Sequence, residues 1–155
     1  MATIYKSDMA SGRKPTVYPF QANAPTQAAV NFTVPADGLK VGDIVEMALL
    51  PAGCIVVDAL LALDKSDSNA AQTLSLDVGV MSGDWQDNNP ARSCGSELFD
   101  NDTTARSGGT TRMSLASGFR LQKQPVNRSI GIKVEAAAAT LVPGAVWTLV
   151  LTLSA

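Results

Sequence analysis

Between Leu49 and Gly83, hydrophobic residues recur at every second position in two successive runs. After Pro51 and Gly53, residues Ile55, Val57, Ala59, Leu61 and Leu63 share one face of an extended chain, with Asp58 and Asp64 on the other. Leu74, Leu76, Val78 and Val80 then share one face, while Thr73, Ser75, Asp77 and Gly79 share the opposite one. A period of two marks strands with one buried side. The segment Lys65 to Ala71 between them is a short polar loop rich in residues that bond their own backbone. The pattern predicts two neighbouring strands at the centre of an antiparallel sheet.

The same pattern appears elsewhere. Val30, Phe32 and Val34 alternate with Asn31 and Thr33, ending at Pro35 and a turn at Asp37 and Gly38. Over Ile44 to Leu50, Val45, Met47 and Leu49 are expected to face inward and Glu46 outward, the flanking Gly42 and Pro51 favouring strand over helix. A strand is predicted over 113–121, with Met113, Leu115, Phe119 and Leu121 inward and a bend at Gly118. Ile130, Ile132 and Val134 form another, running into Ala136 to Ala139, too few alanines for a stable helix. Along Val146 to Leu153 both faces are apolar or neutral, which predicts a strand inside a sheet and covered on its second side.

Two regions lack this regularity. Residues 1–27 read as an arm, with a brief extended piece at Thr3 to Tyr5, breaks at Gly12, Pro15, Pro19 and Pro25, and apolar anchors at Val17, Tyr18 and Phe20. Such an arm either wraps its own domain or lies across a neighbour. Residues 82–109 read as a surface excursion, with a short helical turn around Ser96 to Asp100 burying Leu98 and Phe99. Trp85 within it either pins the loop to its own sheet or makes an exposed contact. The tally is eight strands and the expectation an all-β, antiparallel jelly-roll sandwich over 28–155, with an immunoglobulin-like sandwich as second choice.

Composition narrows the function. The 155 residues are 46% hydrophobic but only 5% aromatic, so the core is mainly aliphatic. Histidine is absent, which removes the commonest general base, the Ser/His/Asp and Cys/His nucleophilic arrangements and most imidazole metal sites. The carboxylate pairs Asp64 with Asp67 and Asp84 with Asp87 lie in polar loops, read as solvated, and lack calcium-loop spacing. No glycine-rich phosphate loop is present. These features predict no enzyme, no cofactor and no metal.

Charge is uneven along the chain. Residues 1–57 carry four basic and four acidic side chains, 58–102 two basic and nine acidic, and 103–155 six basic and one acidic. Either distant strands mix these charges on one surface, or the subunit has an acidic and a basic side that docks on a partner or on a copy of itself. No cationic cluster exceeds the pair Arg13 and Lys14, which argues against direct nucleic-acid binding. Cys54 and Cys94 make no disulfide framework. The opening MATIYKSDMASGRK has no apolar core segment and no run reaches the ~18 residues of a membrane helix, so synthesis in a cytosol and no membrane partner are expected.

The stretch LeuProAlaGlyCysIleValValAspAlaLeuLeuAlaLeuAsp (50–64), followed after a short loop by LeuSerLeuAspValGlyValMet (74–81), resembles small structural proteins of tailed bacteriophage heads. The opening IleTyrLysSerAspMetAla and the closing ValTrpThrLeuValLeuThrLeu also look like the ends of such chains. The resemblance covers essentially the whole sequence and rests on Pro51, Gly53, Asp58, Asp77 and Gly79, which read as fold-determining. It implies a jelly-roll decoration (cement) protein on the outer surface of an icosahedral phage head. There it would act as a homo-oligomer, commonly a trimer, clamping neighbouring major capsid subunits. The arm and the excursion would then be the contact elements, making Tyr5, Arg13, Lys14, Tyr18, Phe20 and Trp85 candidate interface residues. The alternative is a carbohydrate-binding β-sandwich module of a head fibre or tail, which would need an exposed aromatic platform.

Overall fold

The computed structural model describes residues 2–19 and 24–155. Among these, nine strands form two sheets: β1 (Ile4–Lys6), β2 (Thr26–Thr33), β3 (Ile44–Leu50), β4 (Ile55–Leu63), β5 (Ser75–Met81), β6 (Phe99–Asp102), β7 (Gly109–Arg112), β8 (Arg128–Ala136) and β9 (Val146–Ser154). One sheet has the order β1-β3-β8-β5-β6, here sheet A, and the other β2-β9-β4-β7, here sheet B. β2 pairs with β9, β3 with β8, β4 with β7 and β5 with β6, all antiparallel. That nesting is one long hairpin, closed at β5 and β6 and rolled up so that successive strands along each arm fall in alternate sheets, which is the jelly roll. β1 is additional and lies parallel to β3, with Ile4 opposite Ile44.

The expected all-β sandwich is therefore present, with differences in its parts. The central pair does not pair: β4 lies in sheet B and β5 in sheet A. Alternation reports that a strand has one buried face but not which strand lies beside it, and in a rolled hairpin consecutive strands face each other across the core. The excursion contributes β6 and leads at its end into β7, two strands whose short polar sequences carry no apolar alternation. The helical turn expected around Ser96 to Asp100 is absent, and Leu98 and Phe99 are buried as β6 begins.

Residues 113–121 do not form a strand. The Met113 amide still donates to Ala59 O, but β4 has a bulge between Val56 and Asp58, and the chain opposite leaves the ladder to form a short helix α1 (Ala116–Phe119). In β3, around a bulge between Glu46 and Ala48, Val45, Met47, Ala48 and Leu50 join the main core cluster, and Leu49 is buried as well but outside that cluster.

The core is aliphatic, as composition requires, and is closed by a small aromatic group. Trp147 is fully buried, 5.7 Å from Phe32, which meets Tyr5 edge-on at 6.0 Å. The Trp147 indole N–H donates to Ser66 Oγ at 2.8 Å, so its one polar atom is satisfied. Gly53, at φ 75°, makes the β3–β4 turn in a conformation that favours glycine.

The loop linking β4 to β5 crosses between the sheets, and Asp67 organises it. This carboxylate is completely buried and accepts backbone N–H groups from Asn69, Thr73, Leu74, Ala139 and Thr140 at 2.9 to 3.3 Å. The solvated reading of Asp67 is thus corrected: it ties the β4–β5 loop to the β8–β9 loop at one end of the sandwich. Burial by itself pushes the Asp67 carboxyl up, but its amide donors overcome that and hold it well below the usual carboxylate range.

All four sheet edges are short or clad. β1 has three residues, and β6 and β7 have four each. The long edge strand β2 is covered by residues 8–14: Asp8 N donates to Asn31 O, Asp8 Oδ1 accepts from Asn31 N, and Lys14 Nζ donates to Ala29 O. The first residues of the arm are built into the fold as well. Met9 and Ala10 are buried, and buried Ser7 donates its hydroxyl to Met47 O.

Replacing Asp67 by Asn puts an amide NH2 among backbone donors and is expected to cost about 2–4 kcal/mol in urea unfolding at neutral pH. The native pKa lies below the ordinary aspartate value of 3.8, so the carboxylate's contribution is complete above that value and fades as pH falls toward the depressed native pKa. The stability gap between wild type and D67N should be flat above about pH 5 and narrow on acidification below about pH 4. A gap independent of pH down to about pH 2 would show that the charge is not what matters.

Candidate interface surfaces

The two sheets present unlike outer faces. That of sheet A is covered by the excursion, which leaves β5 at Met81, crosses toward β1 and returns along the β5 edge, with Gly95 N donating to Val80 O and Leu98 N to Val78 O. Beneath it lies a buried ionic group. Glu46 points outward from β3 as its phase requires, yet its side chain is wholly inaccessible. Its Oε1 accepts from Arg92 Nη1 at 2.8 Å, Ser129 Oγ at 2.6 Å and the Gln86 amide at 3.0 Å. Lys6 Nζ stands 3.3 Å from Oε2, a charge contact without hydrogen-bond alignment, and donates to Gln86 O at 2.6 Å. Arg92 is itself held by three further hydrogen bonds, donated to Ser82 O, Asp87 O and Ser129 Oγ. Strands β1, β3 and β8 and the excursion are thereby fastened at one point.

A second apolar cluster, Ile44, Met81 and Cys94 with Ile4 against it, fills the adjoining space. Gly79 permits this closeness: a Cβ there would lie 2.5 Å from the Gly95 carbonyl and would overlap the Glu97 carboxylate. Asp77, expected to be solvated, is buried and paired with Lys133 at 3.2 Å. Cys54 and Cys94 are both free and buried, and burial pushes the Cys94 thiol up to about 12. Among the described residues no group of three or more His, Cys, Asp or Glu side chains is placed to hold a metal, and no helix is long and apolar enough to cross a membrane.

The candidate contact residues are not brought together. Tyr5 is half-buried in β1 and packs on the core. Half-buried Trp85 likewise packs against the core, and its loop is held by Gln86. Lys14 is committed to the β2 edge. Arg13 and Tyr18 are exposed, Tyr18 at 43%. Phe20 lies outside the described residues. With Trp147 buried, Tyr18 and Phe119 are the exposed aromatics among the described residues, and they belong to separate segments of the chain.

The outer face of sheet B, by contrast, is partly open, with Ala29 and Asn31 exposed and Leu60, Ala62, Thr148 and Val150 half-buried. The ladder places Ala29, Val150 and Leu60 side by side in one row and Asn31, Thr148 and Ala62 in the next. Its charges are the ion pair of Asp58 with Arg112, at 2.6 Å. The second face of β9, expected to be covered, is half-buried at Val146, Thr148 and Val150 in the isolated chain. No single residue type announces this surface, which emerges only from the register of β2, β9 and β4.

A solved structure described as the capsid of Ralstonia phage GP4 contains a chain 38% identical to this one, with a TM-score of 0.92 and 97% of each chain covered. The chain belongs to a family of phage capsid proteins. A chain of the cyanophage Pam1 capsid asymmetric unit matches at 24% identity and TM-score 0.64, covering 91% of each chain. A chain of the acidic stable capsid structure of Helicobacter pylori bacteriophage KHP30 matches at 14% identity and TM-score 0.58, covering 87% of this chain and 90% of that one. At those identities the likeness shows the fold alone. No protein-family model matches, and no curated protein does. The role of this capsid protein is structural, within the virion, and not enzymatic.

For such a protein the buried ionic group sets how firmly the excursion is held. Arg92→Met should cost about 3–5 kcal/mol in chemical denaturation, because Glu46 is left buried with only partial compensation. The double variant Glu46→Met/Arg92→Met should cost clearly less than the two single variants added together, since neither charge is stranded. Additive losses would show that the two side chains act independently.

Proposed function

We propose that this protein is a decoration protein that binds the outer surface of an icosahedral phage head and clamps neighbouring major capsid subunits. The observation that carries this reading is the pair of unlike faces. A sheet face left to water ordinarily alternates apolar-in with charged or polar-out, whereas the outer face of sheet B carries Ala29, Val150, Leu60 and Ala62 beside the uncharged Asn31 and Thr148, with one internally paired pair of charges. Depletion of unpaired charge is the compositional mark of an interface core. We assign this face to the capsid shell, which the membership in a capsid family supports. Arg13, in the segment that clads β2, and Tyr18, a few residues beyond it, are proposed as rim contacts.

The mechanism is multivalent. An oligomer, for which a trimer is the form proposed, engages several shell subunits at once, and each later contact costs less translational entropy than the first. Each copy then needs only modest affinity. The roll with its covered sheet A serves as the stiff body that transmits force between the subunits it bridges.

Binding of purified protein to shells lacking it, read by gel densitometry and electron microscopy, tests the assignment. Leu60→Lys/Val150→Lys should keep the native circular dichroism spectrum and lower shell occupancy about tenfold or more at limiting concentration, each tenfold corresponding to about 1.4 kcal/mol. Wild-type occupancy by the folded double variant would overturn the docking face.

A further inference from the structure

The long stretch between Asp102 and Glu135 contains no carboxylate, yet six cations: Arg106, Arg112, Arg120, Lys123, Arg128 and Lys133. The structure accounts for four of them. Arg112 pairs with Asp58, Lys133 with Asp77 and Glu135, Arg106 donates to Leu74 O, and half-buried Arg128 donates to Gln122 O. Arg120 and Lys123 are exposed and form no ion pair among the described residues.

Beside them lies an unusual share of exposed apolar surface. Phe119 is 55% exposed, Val126 58% and Val57 41%. Val57 is thrust outward by the β4 bulge, and α1 packs beside β4. The chain after α1 passes the β3–β4 turn, with Gly53 N donating to Gln124 O at 2.8 Å and Ala52 N to Asn127 Oδ1 at 2.9 Å. One end of the sandwich therefore presents apolar side chains next to two unpaired cations.

An unpaired acidic couple lies elsewhere. Asp84 and Asp87 are exposed on the excursion covering sheet A and form no ion pair among the described residues, whereas Asp100, on β6, lines a cavity with Arg112, Ser114 and Leu115, beside the start of α1. We infer that the apolar, cationic end of one copy, built from Phe119, Val126, Val57, Arg120 and Lys123, docks against the outer side of a second copy that carries Asp84 and Asp87. Complementary charges on different sides of one rigid body are not satisfied within that body, but they are satisfied between two of them. The contact is heterologous, head to side, so repetition either closes a ring or propagates. The apolar residues supply the affinity, and the flanking charges fix the orientation. This contact is separate from the proposed shell-binding face and is tested without shells, so that either fails without the other.

Light scattering on purified protein at increasing concentration and two ionic strengths is the measurement. Wild type should associate, more weakly at high salt. Phe119→Asp should remain monomeric throughout, and Arg120→Glu/Lys123→Glu should weaken association about tenfold or more. The reversed variant Asp84→Lys/Asp87→Lys should be equally weak alone, and an equimolar mixture of the two charge variants should regain association, because each reversed surface then meets an opposite one. All substitutions are at exposed positions, and circular dichroism checks that each variant is folded. A wild type that stays monomeric, association unchanged by the charge reversals, or a mixture no stronger than its components would each overturn the proposal. So would an end patch needed for shell binding alone.

Discussion

The structure depends on keeping a glutamate out of water. Glu46 sits on the outward phase of β3, where a solvated carboxylate would be the ordinary outcome, and is instead enclosed by Arg92, Ser129, Gln86 and Lys6. Desolvating an ion pair is expensive and is offset only when geometry and additional hydrogen bonds are good. Here the partners come from three segments besides β3, namely β1, β8 and the excursion, so the enclosure exists only when all three are in place. A loop of the excursion's length has little reason to hold one path across a sheet face, and the cost of exposing this group to a half-formed environment supplies that reason.

With the excursion fixed, the outer face of sheet A ceases to be a surface. Ser75, Asp77, Gly79 and Ser129 become interior positions, and a second small core around Ile44, Met81 and Cys94 forms above the sheet. The sandwich is effectively three layers deep on one side and two on the other. That asymmetry leaves sheet B as the face that meets whatever lies outside the chain.

Much of this was legible along the chain, and the failures have physical causes. The alternation in Ile55 to Leu63, Leu74 to Val80, Ile130 to Val134 and Trp147 to Leu153 gave strands in the right places because one face of each is buried in a dry core. The neutral second face of β9 was also visible in Val146, Thr148 and Val150. Strand partnership was not, because β4 and β5 carry identical signals whether they pair or face each other across the core. Asp67 and Glu46 were misplaced for a related reason: a carboxylate reads as solvated unless its donors are known, and its donors here lie up to 83 positions away in sequence. The strands β6 and β7 escaped because their neighbours, not their own side chains, hold them. The loop end bearing Phe119 was read as a buried strand face, and its exposure follows from the bulge in β4 opposite.

The cladding of the sheet edges has a bearing on how many copies are able to coexist. A β-sandwich held at high local density beside its own kind is exposed to strand-by-strand polymerisation, in which free edges recruit one another without end. Here three outer strands are four residues or shorter, and the fourth is already hydrogen-bonded by residues 8–14 of the same chain. Backbone hydrogen bonding is thus withheld from neighbours. Packing together is left to side chains, whose chemistry, unlike that of a bare edge, discriminates between one surface and another.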